Sequence, residues 1–200
     1  MHYVALHLGS MFSGKTSHLN HLASQTLAVG HSVELWLPPL SEEGQKNHEK
    51  SKEVSLLPKG VTVRYLQSSD ITVKKLAELH TQLYQVDLVL IDETHFFDGD
   101  TLVQLFTQPL PANHPYASTI FHCFGLNGTY QLTPWPTISQ LIPLASKIHF
   151  YRANCSRCGH SVKAGFSHLK RQTSDQIKIE GGSDLYEALC HNCMGKSLFP

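Results

Sequence analysis

The sequence predicts an α/β protein: a parallel sheet built on a phosphate-binding loop and covered by helices, with a small zinc-ribbon-like lasso lobe at the C-terminal end. Three observations predict it. The pattern G-x-x-x-x-G-K-[ST] runs from Gly9 to Thr16, directly after an apolar run. Further apolar runs alternate with helical patterns, and "VDLVLID" at 86–92 is apolar almost throughout, as suits a strand covered on both faces. Four of the five cysteines form two C-x-x-C pairs beyond residue 152.

Each element follows from local pattern. Residues 3–8, "YVALHL", read as a short buried strand ending at the glycine loop. Leu19, Leu22, Ala23 and Leu27 then recur at helical spacing, and Gly30 stops the helix. "SVELWL" at 32–37 is a strand ended by Pro38-Pro39, and residues 40–59, polar and weakly patterned, read as a loop. "VTVRYL" at 61–66 is a strand, residues 71–85 an amphipathic helix, and 86–92 the central strand. A helix near 100–107 precedes a buried strand at 118–124, whose lone Cys123 reads as a small buried hydrophobe. A Gly/Pro-rich loop and "ISQLIPLASKI" lead to a last strand near 147–151. The division is therefore an α/β domain over 1–151 and a lobe over 152–200.

Composition narrows the function. Sixteen basic residues balance sixteen acidic ones, without the basic excess of a nucleic-acid binder. No run approaches the roughly 20 apolar residues that span a bilayer, and the first residues lack a secretory pattern. The cytoplasm is the expected compartment, with no membrane and no nucleic-acid partner. The 14 histidines are scattered and carry no assigned role.

Three constellations carry chemistry. In the loop Gly9-Ser10-Met11-Phe12-Ser13-Gly14-Lys15-Thr16, the glycines let the backbone N–H groups curl around phosphate oxygens. Lys15 is then the residue for the β- and γ-phosphates of ATP, and the Thr16 hydroxyl a ligand for Mg²⁺. Asp92 leaves the central strand at the carboxyl edge, where ligands bind, and suits the Mg²⁺ side of such a site. Glu93 beside it can accept a proton from an attacking hydroxyl or from water; the spacing does not say which. Cys155, Cys158, Cys190 and Cys193 can close a tetrahedral structural Zn²⁺ site. His160 and His191 lie near enough to replace a thiolate, but four sulfurs are simpler. Phe96-Phe97, Tyr130 and Trp135 can pack in the core, the favoured reading, or wall a planar ligand, an option kept for Phe96 and Tyr130.

As a set, these residues resemble the zinc-containing thymidine kinases of bacteria, animals and poxviruses. "GSMFSGKT" is similar to that family's phosphate loop, "IDETHFF" to its D-E-A-Q-F-F segment, and "GLNGTYQLTPWPTISQLIPLASKI" to its G-L-D-G-T-F-Q stretch. "CSRC…AGFSHLK…IEGGSDLYEALCHNC" resembles its cysteine lobe. The resemblance implies that Lys15 and Thr16 hold ATP and Mg²⁺, and that Glu93 takes the proton of a nucleoside 5′-hydroxyl. Phe96 would pack on the base; Met11, Leu126 and Ser167 would line its pocket. Tyr186 and the backbone from Ile179 through Gly181 and Gly182 would close over the nucleoside. A homotetramer inhibited by thymidine triphosphate is also implied. The chain departs from the pattern at 38–53, which lacks an Asp-x-Arg-Tyr segment, and at His95 for Gln, Asn127 for Asp, and Ser167-His168-Leu169 for Thr-x-Arg. Two other readings stay open: a nucleic-acid-dependent ATPase with a zinc ribbon, and a weakly active nucleotide-binding homologue.

Overall fold

The first apolar run becomes strand β1 (Tyr3–Gly9), buried from Val4 onward. The structure is a computed structural model that describes residues 1–39, 56–80, 85–170 and 183–198. Helix α1 (Lys15–Ala28) follows the glycine loop, then strands β2 (Val33–Leu37) and β3 (Thr62–Tyr65). Helix α2 (Val73–Glu78), strand β4 (Leu88–Ile91), helix α3 (Gly99–Thr107) and strand β5 (Ile120–Leu126) come next. Helix α4 (Pro136–Leu141) and strand β6 (Lys147–Tyr151) complete the α/β part.

Among the described residues, β1 to β6 form one sheet in the order β3-β2-β4-β5-β1-β6, with every pairing parallel. The continuous apolar character of 86–92 has the expected cause, because β4 is covered on both faces. Leu88 and Leu90 join Leu19 and Ala23 of α1 on one side. Val89 and Ile91 join Leu102, Leu105 and Phe106 of α3 and Ile138 and Leu141 of α4 on the other. Cys123 lies fully buried in that second cluster, and burial pushes its thiol pKa up, so it behaves as a hydrophobe. Phe97 and Trp135 are buried there too, which supports the core reading for both.

One boundary differs from expectation. The helix foreseen over 71–85 is described only as Val73–Glu78. Thr72 caps it by accepting the Lys75 N–H, and Leu76 is its one buried residue, so about a turn and a half is enough to present its apolar contact. Of the loop foreseen at 40–59, residues 40–55 lie outside the described residues. No described helix is long and apolar enough to cross a membrane.

The lobe contains strands β7 (Ala153–Cys155), β8 (Gly159–Ala164), β9 (Phe166–Leu169) and β10 (Tyr186–Leu189), and helix α5 (His191–Leu198). β7 pairs with β8 and β9 with β10, both antiparallel. Among its described residues, Ala153, Cys155, Ala164, Ala188, Leu189, Cys190, Cys193 and Met194 form a buried cluster of their own, and Ser167, Leu169 and Tyr186 are buried outside it.

Candidate active site

β1 and β5 lie side by side, yet the helices that follow them pack on opposite faces of the sheet. That divergence opens a crevice at the carboxyl ends of the strands, where ligands bind in such sheets. Gly9 pairs with Leu126 there, and the Asn127 amide N–H donates to Gly9 O at 3.4 Å.

The phosphate loop starts at this point. A Cβ on Gly9 would sit 2.5 Å from the carbonyl oxygen of Tyr151, so the close approach of β6 requires glycine. Gly14 adopts φ 86°, a left-handed conformation that glycine takes without steric cost. No side chain caps α1, so the first N–H groups of that helix are left for an anion. The Lys15 ammonium donates to Gly9 O at 3.2 Å and Ser10 O at 2.9 Å, which lays it across the loop. Ser10 is buried, whereas Phe12 is exposed and has φ 62°.

Asp92 follows the last residue of β4, and its Oδ1 accepts the Glu93 N–H at 2.9 Å. Glu93 has φ 48° and ψ 38°, a left-handed conformation that costs energy for a side chain with a Cβ, and its carboxylate is about half exposed at 48 %. Backbone strain of this kind gathers at functional positions. A 3₁₀ turn over Thr94–Phe96 comes next, held by the Thr94 hydroxyl donating to Ile91 O at 2.9 Å. Phe96 is partly buried and meets Trp135 edge-on, with ring centroids 5.8 Å apart.

The lobe is tied to this edge by polar contacts. The Met11 N–H donates to Ser167 Oγ at 2.9 Å, and the Asn127 side-chain amide donates to Gly165 O at 3.1 Å. Ser167 and Tyr186 are buried. Burial raises the Tyr186 phenol pKa, and the nearby Tyr130 phenol adds to the shift. A cleft of about 540 Å³ opens between the loop and the lobe, lined by Phe12, Asn154, Ser156, Lys170, Tyr186 and Glu187.

The structure thus brings Met11 to Ser167, Gly9 to Leu126, and Tyr130 to Tyr186. Ile179, Gly181, Gly182 and most of the 38–53 segment lie outside the described residues. The contacts of His95 and Asn127 go beyond the sequence reading, which marks both only as departures from the family pattern beside Glu93 and Leu126.

The four cysteine sulfurs all lie within 4.8 Å of one another. The Cys158 sulfur is 3.3 Å from that of Cys193 and 3.9 Å from that of Cys190. A tetrahedron of thiolates at the usual zinc–sulfur distance has edges of about 3.8 Å, so the donor set fits that ion in both type and size. Burial opposes ionisation of Cys155, but N–H groups of Cys190, Arg157 and Cys158 aimed at its sulfur bring its pKa down to about 6, whereas contacts with neighbouring thiols push Cys193 up, so without an ion the four thiols do not ionise alike. His191 instead packs edge-on against Phe166, with centroids 4.7 Å apart, and His160 Nδ1 lies 3.1 Å from the Asn154 amide nitrogen.

The family model described as thymidine kinase matches residues 2–194. A thymidine kinase of African swine fever virus (isolate Tick/South Africa/Pretoriuskop Pr4/1996) is 24% identical over 98% of this chain and 94% of its own. That of Mycoplasma mycoides subsp. mycoides is 28% identical over 96% and 88%. That of Pseudothermotoga lettingae is 35% identical over 63% and 64%.

Proposed function

The chain belongs to the thymidine kinase family, and from that premise we propose that it transfers the γ-phosphoryl group of ATP to the 5′-hydroxyl of thymidine, supplying thymidylate for DNA synthesis. The observation that carries this reading is the hydrogen bond between Met11 of the phosphate loop and Ser167 of the lobe. It ties the phosphate grip to a wall that can enclose a small acceptor, not an open track for a polymer.

In this reading the N–H groups of residues 9–14 and the Lys15 ammonium hold the phosphate chain, with Thr16 and Asp92 on the magnesium side. Magnesium, when bound, neutralises charge on the phosphates. Glu93 accepts the proton of the 5′-hydroxyl as its oxygen forms the new bond to the γ-phosphorus and the bond from that phosphorus to the β-γ bridging oxygen breaks. Phe96, Leu126, Tyr130, Ser167 and Tyr186 enclose the nucleoside, and Ile179, Gly181 and Gly182 join them. The four cysteines hold a structural zinc that cross-links the lobe. The division at residue 151, a homotetrameric assembly, inhibition by thymidine triphosphate and a cytoplasmic location belong to the same proposal.

The test is transfer of labelled γ-phosphate from ATP to a panel of nucleosides. Wild type is expected to form thymidine monophosphate, and Glu93→Gln to lose on the order of a hundred- to ten-thousandfold in kcat. Absence of any nucleoside monophosphate overturns the reading.

A further inference from the structure

Two residues beyond Glu93 the chain turns His95 inward, leaving its side chain 1 % exposed. Its ring centroid lies 4.2 Å from that of Phe96 and 4.6 Å from that of Trp135. An imidazole packed against two aromatic rings in a close-packed core has little freedom to turn. Its Nδ1 accepts the backbone N–H of Leu126 at 3.3 Å. A backbone amide can only donate, so Nδ1 carries the lone pair and the neutral ring keeps its proton on Nε2. That nitrogen lies 3.5 Å from Glu93 Oε2.

We propose that His95 is a positioning residue for Glu93: the Leu126 amide fixes its tautomer, two aromatic rings fix its plane, and its Nε2–H holds one oxygen of the Glu93 carboxylate. The inference deepens the reading of Glu93 as the base and rests on it. At 3.5 Å the contact does not meet hydrogen-bond geometry; catalytic contacts of this kind often tighten only once substrate is bound. Holding Oε2 favours the ionised carboxylate, which is the form that can act as a base. It also ties the base to Leu126, whose strand partner is Gly9 of the phosphate loop, so the two ends of the reaction share one backbone frame.

The test uses the full chain, and its NMR readouts do not depend on turnover. Nitrogen NMR of wild type is expected to show His95 neutral with its proton on Nε2. Carbon NMR of labelled carboxylates is expected to show the Glu93 titration moving up by about half to one pH unit in His95→Phe, which keeps a ring but lacks the donor. His95→Gln offers both an acceptor and a donor and is expected to restore most of that shift. The acid limb of kcat/KM should move upward in His95→Phe by the same amount. A proton on Nδ1, or an unmoved Glu93 titration in His95→Phe, overturns the proposal. If the NMR results hold but no nucleoside is phosphorylated, the pair stands and the kinase reading fails.

Discussion

The sheet and the lobe of this chain are held together by different forces. The sheet has two clusters of large side chains, one on each face, with Trp36, Tyr116, Phe106, Phe121 and Phe124 among its most buried. Among the described residues the lobe has one small cluster, in which alanine and cysteine predominate. Buried apolar area stabilises at roughly 25 cal/mol per Å², so alanines contribute little and the sheet can stand on burial where the lobe cannot. A small module with a thin core needs a cross-link, and the four convergent sulfurs are placed to provide one. On the proposed reading, order in the sheet would be a property of the chain alone, whereas order in the lobe would be a property of the chain plus a metal.

Removing the metal would separate the two most strongly. Structural zinc contributes about 10–16 kcal/mol in small zinc modules, more than the lobe's own cluster can replace. About one zinc per chain is expected by elemental analysis. Cys190→Ser, or a strong chelator, should abolish nucleoside phosphorylation and protection of lobe amides in hydrogen exchange. Amides of β1, β4 and β5 should remain protected, because neither face of the sheet contains a cysteine ligand. Simultaneous loss of protection in both regions would show one cooperative unit and break the comparison.

Acid should act through the sheet. His7 lies buried on β1 with Nε2 2.8 Å from His122 Nδ1 and Nδ1 2.9 Å from the Tyr151 hydroxyl. Phe124 and His149 stack on it at 4.3 and 4.7 Å, and His18 of α1 closes from above at 5.2 Å. Burial, then the neighbouring His122, His149, His18 and Lys147, lowers the His7 pKa to about 3. The folded state therefore binds this proton far more weakly than the unfolded chain, whose histidines titrate near 6.5. Stability from this group is constant above about pH 6.5 and falls as the pH drops from there towards 3. At pH 5 the loss is about 2 kcal/mol. Denaturant unfolding of wild type and His7→Phe at pH 7.5 and pH 5 checks this, and the variant should lose about that much of the acid sensitivity. Since the cysteines are unchanged, the difference reports on the sheet alone; equal slopes would remove the role of His7.

That cluster also marks the limit of what the sequence could disclose. Periodicity located β1, α1, β4 and β5 because covering a sheet on both faces imprints a local pattern on the chain. Gly9–Thr16, Asp92-Glu93 and the cysteine pairs were legible because each is a short motif or has a fixed spacing. His7, His122 and His149 meet only through the strand order, which puts β1 between β5 and β6, and His18 joins them only through the packing of α1, so nothing local to any of them signals the meeting. His95 was visible as a departure from the family's motif, but its tie to the Leu126 amide depends on β5 lying beside β4. Core packing, the favoured reading of the aromatics, holds for Phe97 and Trp135, whereas Phe96 is only partly buried, at the margin of that core.

The smallest effect should come from the seam between the two regions. Ser167 is buried in β9, and its hydroxyl accepts the Met11 N–H, so one loop amide is bound to the lobe. Ser167→Ala removes the acceptor and leaves that amide dependent on water or substrate, a cost of about 0.5–1.5 kcal/mol. If the lobe acts as a wall that must meet the loop, the cost appears on substrate binding: KM for the nucleoside should rise about two- to tenfold with kcat little changed. Zinc content should be unchanged, because the cysteine ligands remain. Ser167→Thr, which keeps the hydroxyl, should restore most of the loss. A fall in kcat with KM unchanged would place the hydrogen bond in the transition state instead, and the lobe would then belong to the catalytic frame and not only to the wall around the acceptor.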